Sequence, residues 1–209
     1  GALAKYSAQD AAALFDEAKA LEYRDLAVAE LTEAGATFPI KVLMPYNPVT
    51  TGWAEECQVI EQQMEALFGP EYVDIIVEAG PSSGFLSEVR RSGKYAFMKC
   101  NWGADFIDPV TFTDPFTAGN SYNFIDVGAP ELSAEYDALV AAANAIIGDD
   151  QVAQRYEAFA AAEAYLIDRA IAIPYGTNVG GYTASVIDPF TMQFASCGVS
   201  NYRYKGAAL

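Results

Sequence analysis

An α/β fold, a mixed β-sheet flanked by helices on both faces, is the class this sequence predicts, and three observations lead to it. Short β-branched runs alternate with helical patterns over the first hundred residues. Two amphipathic helical patterns follow, marked from Tyr136 to Leu166. A β-like, glycine-punctuated stretch closes the chain. Early alternation followed by two helices and a β-rich end places helices on both faces of a mixed sheet.

The elements follow in order. Ser7 and Asp10 have the spacing of a capping box, and Ala12, Phe15, Ala18 and Leu21 continue at helical period. A second helix is expected from about Asp25 to a stop at Gly35, a residue suited to the left-handed position past a helix end. Pro39–Met44 reads as a strand, closed by Pro45, Asn47 and Pro48. Trp53–Phe68 is a helix with Cys57, Ile60, Met64 and Leu67 on one face, ended by Gly69-Pro70. Tyr72–Glu78 is a strand, Phe85–Ser92 a short helix and Tyr95–Trp102 a strand. From Asp108 to Pro130 the chain is rich in Asp, Asn, Gly, Thr and aromatics, a long loop with a helical turn entered at Asp108-Pro109. Tyr136, Leu139, Val140 and Ala143 mark one helix, ended by Gly148. Val152, Tyr156, Phe159 and Leu166 mark the next. Ala170–Tyr175 and Tyr182–Ile187 are expected strands, and Phe190–Tyr204 is β-like and irregular. No composition shift marks a boundary, so residues 1–209 are expected to form one domain.

The chain has 209 residues, 52% hydrophobic and 19% charged, a globular composition. The formal net charge of −16 argues against nucleic acid or an anionic membrane surface as partner, because both require Lys and Arg. The sequence contains no His, which removes Ser-His-Asp and Cys-His catalysis and the commonest zinc ligand. Cys57, Cys100 and Cys197 lack any Cys-x-x-Cys spacing and read as free structural thiols; no metal site, cofactor or catalytic residue is expected. No apolar run reaches the length of a membrane span. The chain enters a helical pattern almost at once without a signal peptide, the expectation for a mature fragment.

The most informative stretch is Asn101-Trp102-Gly103-Ala104-Asp105-Phe106-Ile107-Asp108-Pro109. It puts an aromatic, a glycine and a carboxylate where an expected strand leaves its sheet, the place where open α/β sheets bind ligands. Asp105 has two readings: a turn carboxylate, or the partner of a ligand cation. Trp102 reads either as core or as an apolar wall. Gly103 would let an extended ligand approach the backbone. Asp108 reads as a helix cap with Pro109 in the first turn. Asn120, Tyr122 and Asn123 are further candidates for polar contact. A hydrolase using Asp105 with Asp108 and an acidic protein-interaction module are the alternative functions.

Further runs accompany this stretch. They are Ala27–Gly35 followed by Phe38–Val42, Gln58–Gly69, Phe85–Tyr95, and the set Arg155-Tyr156, Ala162-Glu163 and Ile173-Pro174. In this order and spacing they resemble the peptide-binding solute-binding proteins of ABC importers, bacterial extracellular solute-binding protein family 5. The resemblance implies a strand ending in Trp-x-x-Asp whose Asp, here Asp105, receives a peptide's α-ammonium. It implies cations for the ligand carboxylate at Arg90 and Lys99. It also implies that this chain is the C-terminal lobe of a two-lobed, periplasmic-binding-protein-like fold, with Tyr202–Lys205 near the return to the missing N-terminal lobe. The parent is then extracytoplasmic, periplasmic or lipid-anchored, and hands peptides to a membrane permease. With the other lobe absent, Trp102 is expected on an exposed, partly apolar face.

Overall fold

The structure is a computed structural model that describes residues 1–6, 15–177 and 186. The Ser7/Asp10 capping box, Cys197, the Phe190–Tyr204 stretch and all of Tyr182–Ile187 but Val186 lie outside the described residues. The chain divides into two compact units, one from Ala4 to Cys100 and one from Asn101 onward together with Gly1–Leu3. Each has its own hydrophobic cluster. This corrects the expectation of one undivided core. The boundary falls between Cys100 and Asn101, in a short stretch, Met98–Trp102, without the Pro or Gly by which linkers are often recognised.

In the Ala4–Cys100 unit, helix α1 (Glu17–Glu33) starts where Asp16 accepts the Lys19 amide at 2.9 Å. It runs as one helix through the expected break near Asp25, because Glu22-Tyr23-Arg24 contains no residue that interrupts helical hydrogen bonding. It ends as expected at Gly35, with φ of 79°. The Gly35 amide donates to Thr32 and the Ala36 amide to Leu31, the paired bonds of a Schellman motif.

Strand β1 (Ile40–Tyr46), helix α2 (Trp53–Phe68) and strand β2 (Val73–Ala79) form a β-α-β unit. The strands pair in parallel from Ile40 opposite Val73 to Tyr46 opposite Ala79. Cys57, Ile60, Met64 and Phe68 of α2 cover Met44, Val73 and Ile75; Phe68 takes the place expected for Leu67.

The sheet among the described residues is this parallel pair, smaller than the mixed sheet expected. Tyr95–Trp102 is not a strand. Its Ala96 and Phe97 amides both donate to one acceptor, the Leu43 carbonyl, at 3.2 Å each, so it touches the edge of β1 without building a ladder.

Another amide is satisfied by a side chain. The Ile75 N–H, in a residue 1% exposed, donates to Glu65 Oε1 at 2.8 Å. Glu65→Ala is expected to lower stability by about 1–2 kcal/mol, because it strands a buried donor. Glu65→Gln, which keeps the acceptor, is expected to retain most of it. Urea denaturation of the two variants checks this.

In the unit from Asn101 onward, short turns precede two long helices: α3 (Val110–Thr113), α4 (Phe124–Gly128), α5 (Ser133–Asn144) and α6 (Val152–Asp168). Ile125, Tyr136, Val140, Ala143, Phe159, Ala162, Tyr165 and Leu166 form its core. The chain leaves α6 through Ala170, with φ of 55°, and Ile171 folds back on the core. That hydrophobic return takes Ala170–Tyr175 away from the strand expected there.

Candidate functional site

Trp102, Gly103 and Asp105 belong to the unit that begins at Asn101, whereas Arg90 and Lys99 belong to the other.

The Trp102–Asp105 loop is irregular and is held from the segment after it. The Trp102 indole Nε1 donates to the Thr111 carbonyl at 2.6 Å. The Asp105 amide donates to the Thr111 hydroxyl at 3.1 Å. The Tyr122 hydroxyl donates to the Asn101 carbonyl at 2.8 Å. Tyr122 also meets the Trp102 ring edge to face, with centroids 5.2 Å apart, and stacks onward to Phe116 and Phe124. These contacts fix where the indole points while leaving it 39% exposed, so the expected exposure of Trp102 is met. Phe106, Ile107 and Phe112 nearby in sequence are also exposed, Ile107 to 74%.

Asp105 is exposed, and among the described residues no hydrogen bond or ion pair engages its carboxylate. A side-chain carbon added at Gly103 would meet no atom within 4 Å. Packing among the described residues therefore gives no reason for a glycine there, and the backbone lies open to an approaching chain.

Asp108 does what its position before Pro109 predicts. Its Oδ1 accepts the Val110 amide at 2.9 Å at the entry to α3. It has a second role that the sequence did not reveal. Arg155 on α6 grips it with both terminal nitrogens, Nη1 to Oδ2 at 2.6 Å and Nη2 to Oδ1 at 2.9 Å. The guanidinium lies 4.7 Å from the centre of the Phe159 ring. The Arg155 hydrogen bonds, aided by the Val110 amide, hold the Asp108 carboxyl below its ordinary value of 3.8.

This favours the Asp108 anion, the opposite direction from the raised value that the acid of a carboxylate pair needs. Because the folded value is lowered, the stabilisation is complete above the unfolded value and disappears as pH falls through the folded one. Asp108→Asn is expected to be less stable than the parent at neutral pH, with the difference closing below about pH 4. Thermal midpoints across that range measure it.

Three candidates from the long loop serve the fold. The Asn120 amide donates to Asp114 and Thr117, Tyr122 is buried, and Asn123 caps α4 through the Asp126 amide. In the other unit Lys99 is 8% exposed, ion-paired with Glu56 and 4.9 Å from the Trp53 ring centre. Arg90 is half-buried at the end of the π-helical turn Leu86–Arg90, and its carbonyl accepts the Tyr95 hydroxyl at 2.9 Å. Cys57 and Cys100 are free thiols whose pKa values burial pushes up, which makes them poor nucleophiles. Neither Thr111 nor Arg155 carries a local sequence signal of what it holds.

No protein-family model matches the chain. The oligopeptide-binding protein AliA of Streptococcus pneumoniae is 30% identical over 204 residues, covering 88% of this chain and 30% of that protein. The oligopeptide-binding protein SarA of Streptococcus gordonii is 29% identical over 211 residues, covering 91% of this chain and 32% of that protein. The chain therefore spans less than a third of the length of these curated relatives.

Among solved structures, a peptide-binding protein of a peptide ABC transporter aligns with a TM-score of 0.59 at 23% identity, over 75% of this chain and 63% of that one. The unliganded open form of the periplasmic murein tripeptide binding protein MppA aligns with a TM-score of 0.55 at 22% identity, over 71% of this chain and 27% of that one. These two establish a shared fold, helices around a small sheet, of which this chain is a part.

Proposed function

We propose, from the chain's homology to one portion of the oligopeptide-binding proteins, that it is the C-terminal lobe of a solute-binding protein that captures peptides for an ABC importer. The observation that carries the reading is Asp105, an exposed carboxylate without an internal partner among the described residues, beside the open backbone of Gly103 in a chain 30% identical to AliA. Asp105 would accept the peptide's α-ammonium in a charge-assisted bond, which discriminates against ligands lacking that charge. Trp102, held by Tyr122 and Thr111, would wall a side-chain pocket, and Gly103 would admit the peptide main chain.

Lys99 was a candidate for the ligand's carboxylate. In this reading its ammonium, paired with Glu56, supports its own unit. The missing N-terminal lobe, a membrane permease and a place outside the cytoplasmic membrane complete the proposal. No described helix is long and apolar enough to cross a membrane.

A mixed peptide pool offered to the longer protein, with bound and free fractions read by mass spectrometry, tests the reading. Retained intact peptide is the expected result. Cleaved peptide would point to a hydrolase, and no retained peptide to a protein-interaction module.

A further inference from the structure

We infer that Thr111 is a positioning residue for the ligand-reading loop, setting the direction of the Trp102 indole and the backbone position of Asp105 through two different atoms. The inference rests on the ligand reading proposed above. Thr111 is 4% exposed, so it touches no ligand itself. Its carbonyl takes the Trp102 indole proton at 2.6 Å, and its hydroxyl takes the Asp105 amide proton at 3.1 Å. One buried residue thus ties down both ends of the four-residue Trp102–Asp105 turn.

The carbonyl bond is available to any residue at position 111, but the hydroxyl bond is not. Val or Ala would leave the Asp105 amide without its acceptor, while Ser would keep it. Thr suits the task because its branched Cβ restricts rotation and holds the hydroxyl in place.

Thr111 is itself anchored. Its amide donates to the Asp108 carbonyl at 3.2 Å, and the Asp108 side chain is gripped by Arg155 on α6. Beside the Tyr122 contacts, Thr111 therefore registers the loop to the unit's core. A carboxylate on a loop must be held in place to pair with an ammonium at full strength, and this device fixes the backbone that carries it without contacting the ligand.

The test uses Thr111→Val and Thr111→Ser beside Asp105→Asn. In the 209-residue chain, amide hydrogen exchange read by NMR is expected to speed up at Asp105 in Thr111→Val and to stay near the parent rate in Thr111→Ser. In the longer protein, with peptides retained from the pool as probe, Thr111→Val is expected to bind about tenfold more weakly, the worth of one hydrogen bond, and Thr111→Ser to restore binding. Thr111→Ala serves the same purpose if the valine methyl disturbs packing.

Retention of parent affinity in Thr111→Val, with Asp105→Asn impaired, overturns the inference and leaves the ligand reading intact. Weakened binding in Thr111→Val with unchanged exchange at Asp105 overturns it as well, since the loss then arises elsewhere. Full binding by Asp105→Asn overturns the ligand reading itself.

Discussion

Phe159→Ala is expected to lower the stability of the unit beginning at Asn101 by about 3–5 kcal/mol, the cost of emptying a buried aromatic site. Phe159 is 1% exposed, and it sits among Tyr136, Val140, Ala162 and Leu166 in the cluster that α5 and α6 form. It also supports Arg155, whose guanidinium lies over its ring and whose two nitrogens hold Asp108. Truncation therefore opens a cavity and removes the surface on which the Arg155–Asp108 clamp rests. Phe159→Leu, which refills most of the volume, is expected to recover much of the loss. Denaturant titration followed by Trp102 fluorescence in a Trp53→Phe background reads the unit in question. A loss below about 1.5 kcal/mol for the alanine variant would mean that the cluster relaxes around the gap, and that Phe159 is not its keystone.

What could be read from the sequence follows a physical divide. Helix α2 and strands β1 and β2 were found within a residue or two of their ends, because local signals define them: a 3.6-residue apolar period, β-branched runs, and Pro or Gly at the boundaries. Gly35 was legible for the same reason, since a left-handed helix end asks for glycine.

The misses depended on partners far along the chain. Tyr95–Trp102 has strand composition, but a strand exists only if a neighbour accepts its whole ladder, and β1 offers it one carbonyl. The Asn101–Pro109 stretch shows the same split. The exposure of Trp102 and the capping role of Asp108 could be read from residue types in a row. The grip of Arg155, 47 residues away, could not. The commitment of Lys99 to Glu56 was hidden equally well: a lysine and a glutamate in an acidic sequence carry no mark of which pair will meet.

The largest functional effect is expected at Asp105. In the longer protein, Asp105→Asn should weaken peptide binding by roughly 2–5 kcal/mol, or about 30-fold to several thousand-fold, while the fold stays intact. Asn keeps the shape of the side chain and loses its charge. The carboxylate has no internal partner among the described residues, so its removal breaks no described contact, and the Asp105 amide still donates to Thr111. Acetylating the peptide's amino terminus removes the other half of the same interaction and should cause a comparable loss. The two losses should not add, because after either change there is no ion pair left to break. Calorimetry on the four combinations of protein and peptide measures the coupling directly. If Asp105→Asn binds unmodified peptide as tightly as the parent, the ammonium is read elsewhere, and this loop serves only as a turn. If both losses appear and add in full, Asp105 and the ammonium each matter but do not meet, and the geometry of Trp102, Gly103 and Asp105 must serve a different end of the ligand.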